Sequence, residues 1–485
     1  MELSRLPNPI RGTILWIGLL LARLGLVSER RIRRMTDLAW PRIITGLSRM
    51  SKSAVDVAMV GIAVGPAAIA GLGFAGPFWA IAFVVGGGMA TGTIALVSQR
   101  YGAEAFDKLG QAVRSSVFTA TIGTLPIVAV LWLFPSELIG LLTDDTAAIE
   151  QGAAYLRVVA LGIPFAALNL VGGRVLIGAD DAWTPMVLRA GGALANIAIN
   201  AVLIFGLGMG VVGAALGTVL ANVAVMVAFT VGLLNGGLPI IGQFPVTVSP
   251  WGRYVHLETI RDLIKISTPV MARNSVWTGA RFPLMAFLAL FGSHVVAAYV
   301  IAERIWGLMN TPGWGFGLAT SSLVGQSIGE GDMDEAEQWS HDIVKVSVAT
   351  YAIGAAIVFI FTEPIVHLFL EESEATAETL AVAIPLTYAA CIAVVTRGIT
   401  GTYAGALDAA GDTSWTFYAY VIGMFGFTVP IVYIGATTAL GIWGLYLSFF
   451  GQSLIPGLVN YYRFSTGKWK VVSEQYRPET GAVAD

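Results

Sequence analysis

The stretch LAWPRIITGLSRMSKSAVDVAMVGIA at residues 38–63 combines an apolar run with a row of charges. It is long enough to cross a bilayer, which takes about 20 residues. Its polar side chains recur at helical spacing and form one narrow stripe, made of Arg42, Thr45, Arg49, Lys52 and Asp56. Such a stripe must face protein or a wet cavity, so Asp56 is a candidate functional group. The alternative is a purely structural ion pair between Lys52 and Asp56, four residues apart.

The composition indicates a helical membrane protein. Of 485 residues, 56% are hydrophobic and only 12% are charged, whereas soluble domains carry about 25% charged residues. The apolar residues come in long runs without the alternation of barrel strands. The single cysteine, Cys391, lies in such a run, so disulfides and metal clusters are not expected. We therefore predict an all-α membrane protein.

Twelve spans are predicted, and one shorter apolar stretch precedes them. Residues 13–27 are interrupted by Arg23 and favour an interfacial helix over a span. The predicted spans are 38–63, 74–98, 116–140, 152–175, 186–208, 211–234, 266–291, 295–324, 343–369, 380–405, 415–436 and 440–462.

Loop charges predict the orientation. The loops assigned to the outside contain no Lys or Arg; they are 64–73, 141–151, 209–210, 292–294, 370–379 and 437–439. Basic residues lie instead in loops assigned to the inside and in the tail, namely Arg100, Lys108, Arg114, Arg253, Arg261, Lys265, Arg463, Lys468 and Lys470. Arg30, Arg31, Arg33 and Arg34 precede the first span. The positive-inside rule then predicts that both termini lie in the cytoplasm. We expect the protein to lie in the plasma membrane.

The chain is also a duplication. LVSQRYGAEAFDKLGQ at 96–111 matches LVGQSIGEGDMDEAEQ at 323–338, and Pro41 corresponds to Pro269. An offset of six spans preserves orientation, so the halves are parallel repeats suited to alternating access. The predicted segments are a basic and interfacial N-terminal segment 1–37, an N-lobe 38–234, a cytoplasmic linker 235–262, a C-lobe 263–462 and a cytoplasmic tail 463–485.

Several strings resemble the multidrug and toxic compound extrusion (MATE) transporters, in the archaeal and DNA-damage-inducible branch. They are VDVAMVG at 55–61, GADDAWTPM at 178–186, NIAINAVLIFGLG at 196–208, IAERIWGLMNTPGWGFGLATSSLVGQSIGEGD at 301–332 and LDAAGDTSW at 407–415. The resemblance implies two six-helix bundles in a V-shaped fold, and efflux driven by proton or sodium influx with no other cofactor.

The resemblance also implies a cation site in the first lobe, carried over by position to Asp56, Asn196, Asn200 and Thr218. At 1.5 Å per residue, Asp56 lies about 27 Å along its helix from the inner end, in the outer half of the membrane. Asn200 replaces a second carboxylate of the family site, and a sodium ion would miss that charge more than a proton would. We therefore expect proton coupling, with Asp56 as the carrier and Arg49 and Lys52 as modulating charges.

Other candidate residues are a proline of the N-lobe and several side chains of the C-lobe. Pro41 matches a helix 1 proline whose kink the family uses. The acidic residue that the family places in helix 7 is replaced near Trp277. Glu303 appears as the only deep carboxylate of the second lobe, and Arg281 is a further cavity charge. Substrate-cavity candidates, for which core packing is the alternative, are Trp277, Met285, Trp306 and Met309.

The charged residues within the predicted spans indicate which sign of charge the substrate carries. The spans carry more basic than acidic residues, namely Arg42, Arg49, Lys52, Arg273, Arg281, Arg304 and Arg397 against Asp56 and Glu303. Arg42 and Arg397 are expected to snorkel towards the cytoplasmic end. The remaining positive field favours anions or acidic lipids.

Three functions stay open. They are an antiporter for small organic or amphipathic compounds, a flippase for an anionic lipid or lipid-linked substrate, and a membrane-embedded enzyme, for which no catalytic motif appears. The expected partners are the lipid bilayer and a small or lipid-like substrate. Nucleic-acid binding has no support, and the protein is expected to be a monomer.

Overall fold

The computed structural model describes residues 8–368 and 377–478, and these are almost entirely helical. The helices of the first half are α1 Pro9–Arg23, α2 Glu29–Val64, α3 Pro66–Gly102, α4 Phe106–Leu133, α5 Pro135–Gly140, α6 Thr146–Ala160, α7 Ile163–Gly178, α8 Trp183–Ala201, a π-helical segment Val202–Gly206 and α9 Gly210–Asn235. A two-stranded antiparallel hairpin follows, formed by β1 Gly237–Leu238 and β2 Gly242–Gln243.

The second half repeats this order of helices. It contains α10 Leu257–Leu288, a 3-10 segment Ala289–Phe291, α11 Ser293–Met309, α12 Thr311–Glu330, α13 Met333–Ile360, α14 Thr362–Leu368, α15 Ala377–Val395, α16 Arg397–Ala409, α17 Thr413–Val421, a π-helical segment Ile422–Thr428, α18 Val429–Thr437, α19 Trp443–Ser465 and α20 Lys468–Glu474. Part of the predicted outer loop 370–379 and the last residues of the tail lie outside the described residues.

Each of the twelve predicted spans falls on one helix or on two or three consecutive helical segments, but several predicted ends were wrong. The third and ninth spans stop early, at Leu133 and Ile360, and the apolar residues beyond form the short helices α5 and α14. The second span starts at Pro66 rather than at residue 74. Proline is preorganised for the first helical position, and Gly65 makes the turn before it at φ 106°.

By length and composition alone, seven described helices could cross a membrane, or eight if the bent pair α6 and α7 counts as one span. The helix α2 is not among them, although it is 36 residues long. Its charged stripe lowers its hydropathy. A search by hydropathy therefore misses α2, because its charged side chains need to face protein or water and not lipid.

The chain forms two compact units. Compact units are defined by contacts and not by membrane spans, so the predicted lobe boundaries stay predictions. One unit holds Ile44–Ser267 and is called the first unit here. The second unit holds Thr268–Arg477 together with the N-terminal residues up to Ile43. The boundary between the two units therefore falls inside the helix α2 and again inside the helix α10. In each helix it lies within two residues of the proline, Pro41 or Pro269.

The N-terminal helix α1 is anchored within the second unit. Asn8 caps it by accepting hydrogen bonds from the backbone amides of Ile10 and Arg11. Its 15 residues are too few to span a bilayer. The following turn is held to α13, because Lys345 Nζ donates to the Leu26 carbonyl at 2.9 Å. Arg31 donates to Asp342 at 2.8 Å and also pairs with Glu335.

Glycines allow close helix packing in the first unit. The backbones of α3 and α6 meet where Gly71 faces Gly152. A Cβ at Gly71 would lie 2.6 Å from the Gly152 backbone nitrogen. Small residues at such crossings permit the van der Waals contact that joins membrane helices.

We expect Gly71→Ala to destabilise the protein by about 1–3 kcal/mol, because the added methyl group meets backbone rather than a movable side chain. Gly73→Ala is the matched control on the same helix, since nothing lies within 4 Å of its Cβ position. Thermal unfolding in detergent measures both. Equal melting temperatures for the two variants would contradict the close packing.

Candidate functional site

Three helices of the first unit bring four predicted site residues together. Asp56 lies on α2, Asn196 and Asn200 lie one turn apart on α8, and Thr218 lies on α9. All four are buried, with exposed fractions of 8% for Asp56, 6% for Thr218 and 0% for both asparagines. Asp56 is the only buried carboxylate among residues 44–267.

Both oxygens of Asp56 accept hydrogen bonds. Asn200 Nδ2 donates to Oδ1 at 2.9 Å, and Lys52 Nζ donates to Oδ2 at 2.6 Å. The same ammonium lies 3.3 Å from Thr218 Oγ1, which also accepts from Asn196 Nδ2 at 3.3 Å. A cluster of one cation, one anion and three neutral polar groups therefore occupies this place.

The ion pair between Lys52 and Asp56, which was the structural alternative, is present in the structure. Because Lys52 Nζ contacts Asp56 and Thr218, it occupies the position that the family resemblance assigns to a bound cation. The cluster is thus formally neutral without an added ion. The pair is not fully sealed, because the side chains of Lys52 and Asp56 retain exposed fractions of 21% and 12%.

The surroundings fix the asparagines in place. Asn200 packs against Gly217, where any Cβ would collide with its Oδ1. That Oδ1 is buried and has no hydrogen-bond partner among the described residues. Tyr155 packs against a nearby apolar cluster that includes Val60, Val211 and Ala214. The π-helical segment Val202–Gly206 begins directly after α8, as π segments often do beside functional groups.

The predicted residues of the second unit are spread along one apolar core. Trp277 and Trp306 stack with ring centroids 5.8 Å apart, and Trp306 is 3% exposed. Met285 and Met309 pack against the same core. Arg281 donates to Glu303 at 2.9 Å, and Arg281 is half exposed. These contacts are what core packing predicts, and they assemble no cluster like that around Asp56.

Two expectations about charges in the second unit were wrong. Glu303 is not its only deep carboxylate, because Asp408 is buried and forms two hydrogen bonds of 3.1 Å with Arg273. The sequence hid Asp408 because α16 runs beyond the predicted span end at residue 405. Arg397 does not snorkel: it is buried, and its guanidinium donates to Asn310 Oδ1 at 2.8 Å and to the Tyr420 hydroxyl at 3.2 Å.

Sequence reasoning also missed three basic residues of the first unit, namely Arg157, Arg174 and Arg189. Each lies inside a predicted span as an isolated charge in an apolar run. That isolation was the available signal, because an arginine within a span is costly unless protein or water receives it.

Comparison with known proteins identifies the family. The MatE family model matches residues 41–202 and 269–434, which together cover more than half of the chain. The chain belongs to the MatE family. It is accordingly a multi-pass membrane transporter, not an enzyme, and the predicted family and the predicted transporter function are confirmed, whereas proton coupling stays a prediction.

Relatives match over almost the whole length of this MATE protein. The "Probable multidrug resistance protein YoeA" of Bacillus subtilis is 26% identical over 450 residues, covering 89% of this chain and 93% of the relative. The "Multidrug resistance protein PmpM" of Pseudomonas aeruginosa is 28% identical over 418 residues, covering 84% and 85%.

Solved structures share the fold. The outward-facing conformation of a multidrug resistance MATE family transporter of the MOP superfamily superposes with a TM-score of 0.81 at 20% identity. It covers 91% of this chain, and the match takes in 96% of that one. A MOP superfamily transporter from Pyrococcus furiosus, described by the "reverse polarity" of its binding pocket, gives 0.81 at 21% identity over 90% and 96%. The predicted all-α membrane architecture is confirmed.

We expect Gly217→Ala to impair transport by this MATE protein without changing any charge, because the methyl group would displace the Asn200 amide from Asp56. Gly191→Ala is the matched control on α8, where nothing lies within 4 Å of the Cβ position. Initial rates of dye efflux from cells, at equal membrane levels of protein, measure the effect. Wild-type rates for Gly217→Ala would contradict this role of the close contact.

Proposed function

We propose that this MATE protein exports small organic or amphipathic compounds by alternating access, coupled to proton influx through Asp56. It would do so as a monomer in the plasma membrane, with both termini in the cytoplasm. The observation that carries the proposal is the buried carboxylate of Asp56, held by donors from α2 and α8 in a cluster completed by α9. The names of its relatives, which are multidrug resistance proteins, support a small-molecule substrate.

The charge balance of the cluster supports the proposal of proton coupling. A proton that binds Asp56 neutralises the carboxylate, and the Lys52 ammonium then lacks its counter-charge. A buried charge without a partner is strongly unfavourable, so Lys52 must move towards water or another acceptor. Protonation therefore changes the preferred arrangement of α2, which carries both residues.

The helix α2 can bend when the protonation state of Asp56 changes. Pro41 cannot donate the backbone hydrogen bond that closes a helical turn, so the helix is weakened there. Residues up to Ile43 belong to one compact unit and the rest of α2 to the other. We propose that Pro41 is the hinge at which the protonation state of Asp56 alters the course of α2.

Sodium is the weaker candidate for the coupling ion. A sodium ion would have to displace the Lys52 ammonium from Asp56 Oδ2 and Thr218 Oγ1. Asn200 supplies an amide in place of a second carboxylate, so no further negative charge assists the exchange. A proton needs only one carboxylate oxygen.

A lipid-exporting function is the second candidate. The basic residues of the spans favour it, since they would stabilise an anionic headgroup. The structural neighbour from Pyrococcus furiosus was likewise described as having a binding pocket of reversed polarity and a different function. Both functions use the same coupling site, and they differ in the cargo.

Asp56→Asn should abolish uphill export while leaving the protein folded, because the amide is nearly isosteric and cannot carry a proton. The measurement is transport in proteoliposomes under imposed proton or sodium gradients, with cationic and anionic fluorescent substrates. Asp107→Asn, an exposed carboxylate at the start of α4, is the matched control and should transport normally. Gradient-driven transport at the wild-type rate by Asp56→Asn would defeat the proposal.

Lys52→Met combined with Asn200→Asp should create a response to sodium that the wild type lacks. The change removes the competing ammonium and restores a second carboxylate beside Thr218, so oxygen ligands and negative charge become available to a hard cation. Thermal stability of purified protein in sodium chloride, compared with choline chloride at equal ionic strength, measures it. A wild type stabilised by sodium as strongly as the double variant would show that Lys52 does not occupy the cation position.

A further inference from the structure

Three arginines of the first unit lie on different helices, and one of them is within electrostatic range of the other two. Arg49 is on α2, Arg174 on α7 and Arg189 on α8. Arg189 is within electrostatic range of both of the others. The Arg49 guanidinium lies over the ring of Phe83, 5.9 Å from its centroid. We call these three residues the arginine cluster.

Two members of the arginine cluster have no partner among the described residues. The guanidiniums of Arg174 and Arg189 donate to no carboxylate and make no other hydrogen bond to any residue in 8–368 or 377–478. Arg174 Nε is buried and unsatisfied. Asp181, in the turn between α7 and α8, accepts from the Thr184 amide at 2.9 Å and forms no ion pair with either arginine in the described part of the chain.

Such an arrangement is costly unless it binds something. Like charges repel in a weakly polar interior, and each guanidinium has five donors to satisfy. Two other basic groups of the protein each have a carboxylate partner: Arg273 pairs with Asp408, and Lys52 pairs with Asp56. A forked guanidinium matches the geometry of phosphate and carboxylate oxygens, so the missing partner is an oxyanion.

The position suits substrate entry. Arg174 lies four residues before the end of α7 and Arg189 six residues after the start of α8, so both lie about 6–9 Å from the predicted cytoplasmic ends. Arg49 lies seven residues before Asp56 on α2, or about 10 Å closer to the cytoplasm. The arginine cluster therefore lies between the cytoplasmic side and the coupling site.

We propose that the arginine cluster binds an anionic group, phosphate or carboxylate, of the exported molecule. The exported substrate class is therefore anionic amphipathic compounds rather than organic cations. This inference rests on the proposed export function and adds its substrate class. The same chemistry is found in soluble organic anions and in the headgroups of acidic lipids.

The test is equilibrium binding to the full chain purified in neutral detergent, because binding needs no gradient. The soluble probe is carboxyfluorescein, followed by anisotropy, with rhodamine 6G as the cationic comparison. A second arm uses labelled phosphatidylglycerol in phosphatidylcholine nanodiscs. The variant is Arg174→Gln with Arg189→Gln, and Arg253→Gln in the exposed linker is the matched control.

We expect the double variant to bind the anionic probe at least about tenfold more weakly, since charge-assisted hydrogen bonds are lost. Arg253→Gln should bind like the wild type, and rhodamine 6G binding should be unchanged or stronger in the double variant. If the double variant fails to fold, Arg189→Gln alone, at a half-buried position, should show a smaller loss of the same sign.

The two arms separate the sources of the anion. Weaker binding of carboxyfluorescein alone identifies soluble anions, and weaker binding of phosphatidylglycerol alone identifies lipids. Unchanged binding of both anionic probes in the double variant would overturn the proposal. That result is separate from the Asp56→Asn test, which can fail through coupling while anion binding stays intact.

Discussion

A carboxylate on a membrane-spanning helix must be compensated from within the protein, and this constraint shapes the first unit. Asp56 receives an ammonium from one turn earlier on its own helix and an amide from α8. The amide can reach it because Gly217 leaves room for Asn200, so α8 and α9 pack closely at that point. One buried charge thus dictates the packing of three helices. Loss of either partner of the ion pair would leave a buried charge without compensation, which is strongly unfavourable.

The same helix links this local chemistry to the larger organisation. The boundary between the compact units crosses α2 beside Pro41, and it crosses the counterpart helix α10 beside Pro269. The two prolines correspond in the duplicated sequence, so this feature belongs to the repeat. Only the first repeat has the Asp56 cluster on its crossing helix. At the position in α10 where the family has an acid, this chain has Trp277, which stacks on Trp306. The two repeats therefore share a proline-containing helix at this place and differ in the side chains that it carries.

Most of the architecture could be predicted because its causes are local or periodic. Apolar runs, loop charges and the repeat identify the helices, and the spacing of Asn196 and Asn200 places both on one face. Helix ends were predicted less well, because Pro66, Phe134 and Phe361 begin or break helices within apolar sequence. The pairing of Arg273 with Asp408 and the direction of Arg397 could not be predicted. They depend on which distant helix supplies the partner, and 135 residues separate Arg273 from Asp408.

The distribution of charge in the first unit also bears on cargo. Because Lys52 and Asp56 cancel, the coupling cluster contributes little net field to its surroundings. The uncompensated charge belongs instead to Arg174 and Arg189, which no described carboxylate approaches. A cationic drug would meet that positive field and be repelled, whereas an anion would be stabilised by it.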